Sequence, residues 1–145
     1  MGRITTLYGY IQEFPDRAQA YTAHNEQVLT ALPRESEWPF FNATLFQTPP
    51  PLDTSEISYW GRVISFGGSY KTLEDAWAEW LEKFEALLQQ LVWYEARVHL
   101  ITEWYGEATC EWQIENNYSA RLRKAKEPFG PDPQDWTFTG PRLFK

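Results

Sequence analysis

The chain has 145 residues, enough for one domain with a real core, and 43% of them are hydrophobic, including 8 Trp, 8 Tyr and 9 Phe. A net charge of −7 argues against a general nucleic-acid-binding surface, which requires a basic footprint. The single cysteine excludes an internal disulfide and fits a reducing compartment.

No run approaches the ~20 apolar residues of a membrane-spanning helix. The opening MGRITTLYGY lacks the apolar segment and cleavage site of a secretory signal, so a cytoplasmic protein with no membrane partner is expected. The charge is unevenly spread: residues 1–120 carry 7 Lys+Arg against 17 Asp+Glu, whereas residues 121–145 carry 6 against 3. An acidic body aids solubility, and it also steers a basic partner toward encounter.

The first predicted element is a strand over RITTLYGYIQ (3–12), rich in Thr, Tyr and Ile. A helix follows, with Asp16 as candidate cap, Ala18, Tyr21, Val28, Leu29 and Leu32 along one stripe, and Pro33 at its end. FNATLFQ (41–47) reads as a strand closed off by Pro49, Pro50 and Pro51. ISYWGRVISFG (57–67) reads as another, with Gly67 and Gly68 as its turn.

TLEDAWAEWLEKFEALLQQL (72–91) predicts an amphipathic helix. Leu73, Trp77, Trp80, Leu81, Phe84, Leu88 and Leu91 recur at three- and four-residue spacing, and Thr72 with Asp75 resembles a capping box. Helical spacing also extends through Trp93, Ala96, Leu100, Ile101 and Trp104. The β-branched Val98, Ile101 and Thr102, and the alternation that resumes after Gly106, favour a hairpin instead.

In that hairpin Ala96, Val98, Leu100, Ala108, Cys110, Trp112 and Ile114 share one face. Matching the two apolar sets requires cross-strand position numbers with an even sum, hence an odd-length loop unless a bulge intervenes. His99 then lies on the face opposite Cys110, which rules out a Cys–His nucleophile pair within the hairpin and makes Cys110 a small buried hydrophobe. The remaining residues, ARLRKAKEPFGPDPQDWTFTGPRLFK (120–145), hold four of the ten prolines. Phe129, Trp136, Phe138 and Phe144 nonetheless predict that part of this tail packs back on the body.

The chemistry-bearing residues are sparse. His24 has Glu26 nearby, but no nucleophile or metal motif accompanies them, and no HExxH or CxxC spacing occurs. SFGGSYKT (65–72) lacks the spacing of a phosphate loop, although an anion site at the following helix start stays open. No metal or cofactor is expected. The polar face of the hairpin carries Glu95, Arg97, His99, Glu103, Tyr105, Glu107 and Glu111, which read as solvated surface, as a docking face for a basic partner, or as catalytic carboxylates.

The order strand, helix, strands, long Trp-rich helix and hairpin, with the stretch VISFGGSYKTLEDAWAEWLEKFEALLQQLVWYEARVHLITE (63–103), resembles small cytoplasmic bacterial proteins of the immunity type. Such proteins accompany polymorphic or contact-delivered toxins and neutralise a cognate toxin by binding it. The likeness spans roughly the first 115 residues and carries over no residue roles. It implies a non-enzymatic acidic protein, monomeric or homodimeric, whose partner is a toxin with a basic surface.

These readings together predict an α+β protein: an antiparallel sheet of about five strands with two helices packed on one face. Residues 1–118 would form the domain and residues 119–145 an extension packed partly on it. The seven polar hairpin residues are the expected partner-binding set. The rival is a small-molecule-binding or enzymatic domain with a pocket between sheet and helices, lined by Trp60, Trp77 and Trp80. A third reading, a subunit of a larger assembly, would expose a flat apolar patch.

Overall fold

Alternation shapes the first strand. In β1, Ile4–Gln12, Thr5, Leu7 and Ile11 are buried while Ile4 and Tyr8 are exposed, the period-two pattern of a strand covered on one face. A computed structural model describes residues 3–14, 18–48 and 61–144 of the chain. β1 is followed by α1 (Ala18–Thr30), β2 (Phe46–Gln47), β3 (Val63–Lys71), α2 (Trp77–Leu88), β4 (Glu95–Thr102), β5 (Gly106–Ile114), α3 (Asn116–Lys124) and β6 (Trp136–Thr139). Among the described residues the strands form one antiparallel sheet in the order β2-β3-β1-β4-β5-β6.

The α+β class is as expected, but the described residues hold six strands and three helices rather than five and two. The additional elements come from the end of the chain: α3 straddles residue 118, and β6 pairs with β5 from Ile114↔Trp136 to Glu111↔Thr139. The expected strand at 41–47 is mostly a 3-10 turn, Ala43–Leu45, which leaves β2 two residues long. Gly67 and Gly68 form no turn; β3 runs through them to Lys71, paired with Tyr8 and Leu7 of β1. Asp16, the expected cap of the first helix, and residues 57–60 lie outside the described residues.

The long amphipathic helix is also shorter than its sequence pattern. Thr72 adopts the left-handed conformation, φ 53° and ψ 43°, and makes no side-chain cap. Its hydroxyl donates to the Lys71 carbonyl at 2.7 Å, and Leu73 N–H is satisfied by Thr5 Oγ1 at 3.1 Å. A 3-10 turn, Leu73–Ala76, then leads into α2. The expected capping box and an anion site at this start therefore give way to a contact with β1.

α2 lays Trp77, Trp80, Leu81, Phe84, Leu87 and Leu88 on the sheet. Trp77 stacks on Trp80 with centroids 5.1 Å apart, Trp80 stacks on Phe84 at 5.1 Å, and Phe84 meets Trp112 of β5 at 4.9 Å. Each of these side chains contributes about 1.5–3 kcal/mol of gross burial, offset by ordering entropy. Gly9 makes this packing possible in the middle of β1. A Cβ there would lie 2.1 Å from the Arg97 carbonyl and 2.8 Å from the Phe66 ring.

A smaller cluster of Phe14, Tyr21, Val92, Tyr118 and Leu122 joins α1 and α3 to the segments that follow β1 and precede β4. Beside it, Arg62 is fully buried. It donates to Glu13 through Nε at 3.0 Å and Nη2 at 2.9 Å, and through Nη1 to Glu26. Thr22 and Asn25 each donate to Glu13 at 2.8 Å, which completes the shell a buried carboxylate requires.

Candidate functional site: the open sheet face

Both α1 and α2 pack on the side of the sheet that holds Leu7, Ile11, Val98 and Cys110. The opposite face carries the other half of each strand's residues. Strand register assembles them into rows: Thr139, Glu111, Arg97, Tyr10, Ser65 and Gln47 in one, and Thr109, His99, Tyr8 and Gly67 in the next. The hairpin obeys the parity expected of it, with Glu95 opposite Gln113, Thr102 opposite Gly106 and residues 103–105 as the turn. His99 pairs with Thr109 on the open face while Cys110 is buried on the other.

Neighbouring strands fix the polar groups in place. Arg97 Nη2 lies 2.8 Å from Glu111 Oε1, both about one-third exposed. Tyr10 donates its hydroxyl to Glu95 at 2.9 Å; partial burial first, and then this carboxylate, raise the hydroxyl above its ordinary value. His99 stacks on Tyr8 with centroids 5.0 Å apart and reaches Thr109 Oγ1 through Nδ1 at 3.0 Å. These contacts limit rotamer freedom before any partner arrives.

Of the seven residues predicted for the site, Glu95, Arg97, His99, Glu107 and Glu111 share this face. Glu103 sits at its end, where Oε1 accepts Ile4 N–H at 3.0 Å. Tyr105 does not join them: the turn carries its ring to Phe144 of the tail, 5.2 Å away, on the side of Trp77. Periodicity within the hairpin alone missed the contribution of β1. Ile4, Tyr8 and Tyr10 face outward beside β4, and the signal was the alternation of RITTLYGYIQ itself. Four large apolar side chains are exposed here, Ile4, Tyr8, Val63 and Ile101, and Trp104 stands 74% exposed at the hairpin tip under the Arg3 guanidinium.

Other candidates are absorbed into the framework. His24 Nε2 lies 2.8 Å from the Gln90 carbonyl, and Glu26 is held by Arg62 and Thr48. Burial pushes the Cys110 thiol up to about 12, away from the thiolate a nucleophile needs. Trp77 and Trp80, two walls of the alternative pocket, are stacked on each other within the packed core, and Trp60 lies outside the described residues. Among the described residues there is no group of three His, Cys, Asp or Glu side chains that could hold a metal ion, and no helix long and apolar enough to cross a membrane. Comparison with family models, with curated proteins and with solved structures found no match.

Proposed function

We propose that this protein is a non-enzymatic binding protein of the immunity type, which neutralises a cognate protein toxin in the cytoplasm by occluding it. The observation that carries the reading is the open sheet face. It combines exposed apolar anchors, Ile4, Tyr8 and Ile101, with a rim of preset charges. Interfaces use that combination: central aromatic or aliphatic contacts supply binding energy, and surrounding polar groups supply register and specificity.

The charge of the face selects the partner. Glu95, Glu103, Glu107 and Glu111 stand against the single guanidinium of Arg97 on the β4–β5 hairpin. A basic surface on the toxin would meet these carboxylates, and long-range attraction would speed encounter. The test uses the protein encoded beside this one, as immunity proteins and their toxins commonly are. Co-expression should rescue cells from that neighbour's toxicity, and the purified pair should form a stoichiometric complex. Survival without this protein, or no complex with it, would overturn the reading.

A further inference from the structure

The edge of β3 away from β1 is paired with β2 only at Ser65 and Phe66. The register of β1 with β3 shows where the backbone points. Glu13 N–H donates to the Arg62 carbonyl at 2.9 Å and Thr72 N–H to the Arg3 carbonyl at 2.8 Å. Even-numbered residues of this strand therefore exchange hydrogen bonds with β1, and odd-numbered residues direct both N–H and C=O to the other side. There, Ser65 meets Gln47 of β2 and Phe66 lies opposite Phe46, where the ladder ends. Leu45 precedes that pair beside Gly67, and among the described residues no strand pairs with β3 at Ser69 and Lys71.

Edge strands are ordinarily shielded by a covering loop, a proline or inward charge. Here a loop stands beside the edge and leaves a groove of about 340 Å³ between them. The loop is held in place: Lys83 Nζ donates to the Glu37 and Pro39 carbonyls at 2.8 Å each, and Tyr70 donates its hydroxyl to the Phe40 carbonyl at 2.9 Å. Two large aromatics of that fixed loop remain exposed, Trp38 at 44% and Phe40 at 51%. Among the described residues Lys71 is the one charged side chain lining the groove.

We propose that this groove binds an extended segment of a partner protein by strand addition, with apolar side chains at alternate positions and an acidic side chain between them. The outward N–H and C=O of Ser69 and the N–H of Lys71, unpaired with any strand among the described residues, are the complement of another extended backbone. Side chains of the added strand that point to the helix side meet Trp38 and Tyr70, and those on the other side lie along Ser69 and Lys71.

The probe is a fluorescein-labelled, end-capped hexapeptide, Thr-Val-Glu-Phe-Thr-Val, titrated into the full chain. Saturable binding is expected with Kd on the order of 100 μM or tighter, together with slowed amide hydrogen exchange at Ser69 and Lys71. Ser69→Pro deletes an outward N–H without touching the β1 ladder, so binding should fall about tenfold or more while the fold persists. Lys71→Glu should weaken the same peptide about two- to fivefold, and Lys in place of Glu in the peptide should restore it. No binding at roughly 1 mM peptide, or undiminished binding by folded Ser69→Pro, overturns the proposal. If Ser69→Pro does not fold, unchanged exchange at the Ser69 and Lys71 amides of the wild type overturns it equally. A wild-type dimer in light scattering that Ser69→Pro converts to monomer would give the edge to a second copy instead, which also overturns it.

Discussion

Arg142 grips Glu85 through two parallel hydrogen bonds, 2.9 and 3.1 Å long, so that a residue near the end of the chain is clamped to α2. The same carboxylate accepts the Trp112 indole N–H at 2.9 Å. One side chain thus ties helix, sheet and tail together. Around it Phe138 packs on Trp112 at 4.9 Å, Trp136 on Trp93 at 5.8 Å, and the Pro141 carbonyl accepts Trp77 Nε1–H at 2.9 Å.

Deleting residues 128–145 should therefore cost several kcal/mol, at about 1.5–3 kcal/mol for each large side chain whose burial is lost. Thermal unfolding and dye binding check this: the truncated chain should melt earlier and bind more of a hydrophobic dye. Arg142→Ala alone should cost no more than about 1 kcal/mol, because its side chain is half exposed. An unchanged melting temperature on truncation would contradict the packing described here.

The core of α2 offers the sharpest stability test. Trp80 is fully buried between Trp77, Phe84 and Phe41, and Trp80→Ala should cost about 3–5 kcal/mol in a urea titration. Glu82→Lys on the exposed side of the same helix should stay within about 0.5 kcal/mol.

These two regions differ in how far sequence alone revealed them. The α2 stripe and the hairpin register follow from local periodicity, since i, i+3 and i+4 spacing and cross-strand parity involve residues close in the chain. The aromatics of the tail announce that it docks, but its pairing as a strand, Phe138 opposite Trp112, is not announced by alternation over four residues after a proline-rich run. Thr72 shows a second limit. Its position before Asp75 satisfies the capping pattern, but the end of β3 turns it left-handed and Thr5 takes over the neighbouring N–H. The open face was half legible for the same reason, because β1 sits beside β4 only through the sheet order.

The Arg62 and Glu13 pair, 49 positions apart, makes a prediction about buried charge. Glu13→Gln leaves the guanidinium without its bidentate partner and should destabilise by about 3–5 kcal/mol. Replacing both residues with apolar ones of similar volume should cost less than the two single changes added together, as a double-mutant cycle by chemical denaturation would read.

Alkaline pH should unfold the protein partly through Cys110. Burial raises its thiol from an ordinary value of 9.0 to about 12, so between those values the native state keeps a proton that the unfolded chain has lost. Its contribution is fully present below pH 9 and is lost as pH rises through the folded value, at roughly 1.4 kcal/mol per pH unit. Cys110→Ala should show a shallower fall in melting temperature above pH 9 than wild type. Parallel curves would mean that the thiol is not held in its neutral form.

The open face can be tested through charge and anchors separately, against the toxin identified by co-expression. Glu107→Lys with Glu111→Lys reverses two outward charges, at a stability cost of about 1 kcal/mol from the lost Arg97–Glu111 pair. Association should slow and lose part of its salt dependence, because rim charges act mainly on encounter. Tyr8→Ala removes the ring that His99 stacks on, and it should instead speed dissociation, by about 30-fold if Tyr8 contributes the ~2 kcal/mol of an interface anchor. Glu82→Lys on α2 alters net charge equally per site but lies on the helix side, so its effect on association should be slight. If that control slows association as much per charge as the sheet variant does, only net charge matters. If Tyr8→Ala dissociates like wild type, the partner does not rest on Tyr8, and the edge of β3 beside Trp38 is the next surface to test.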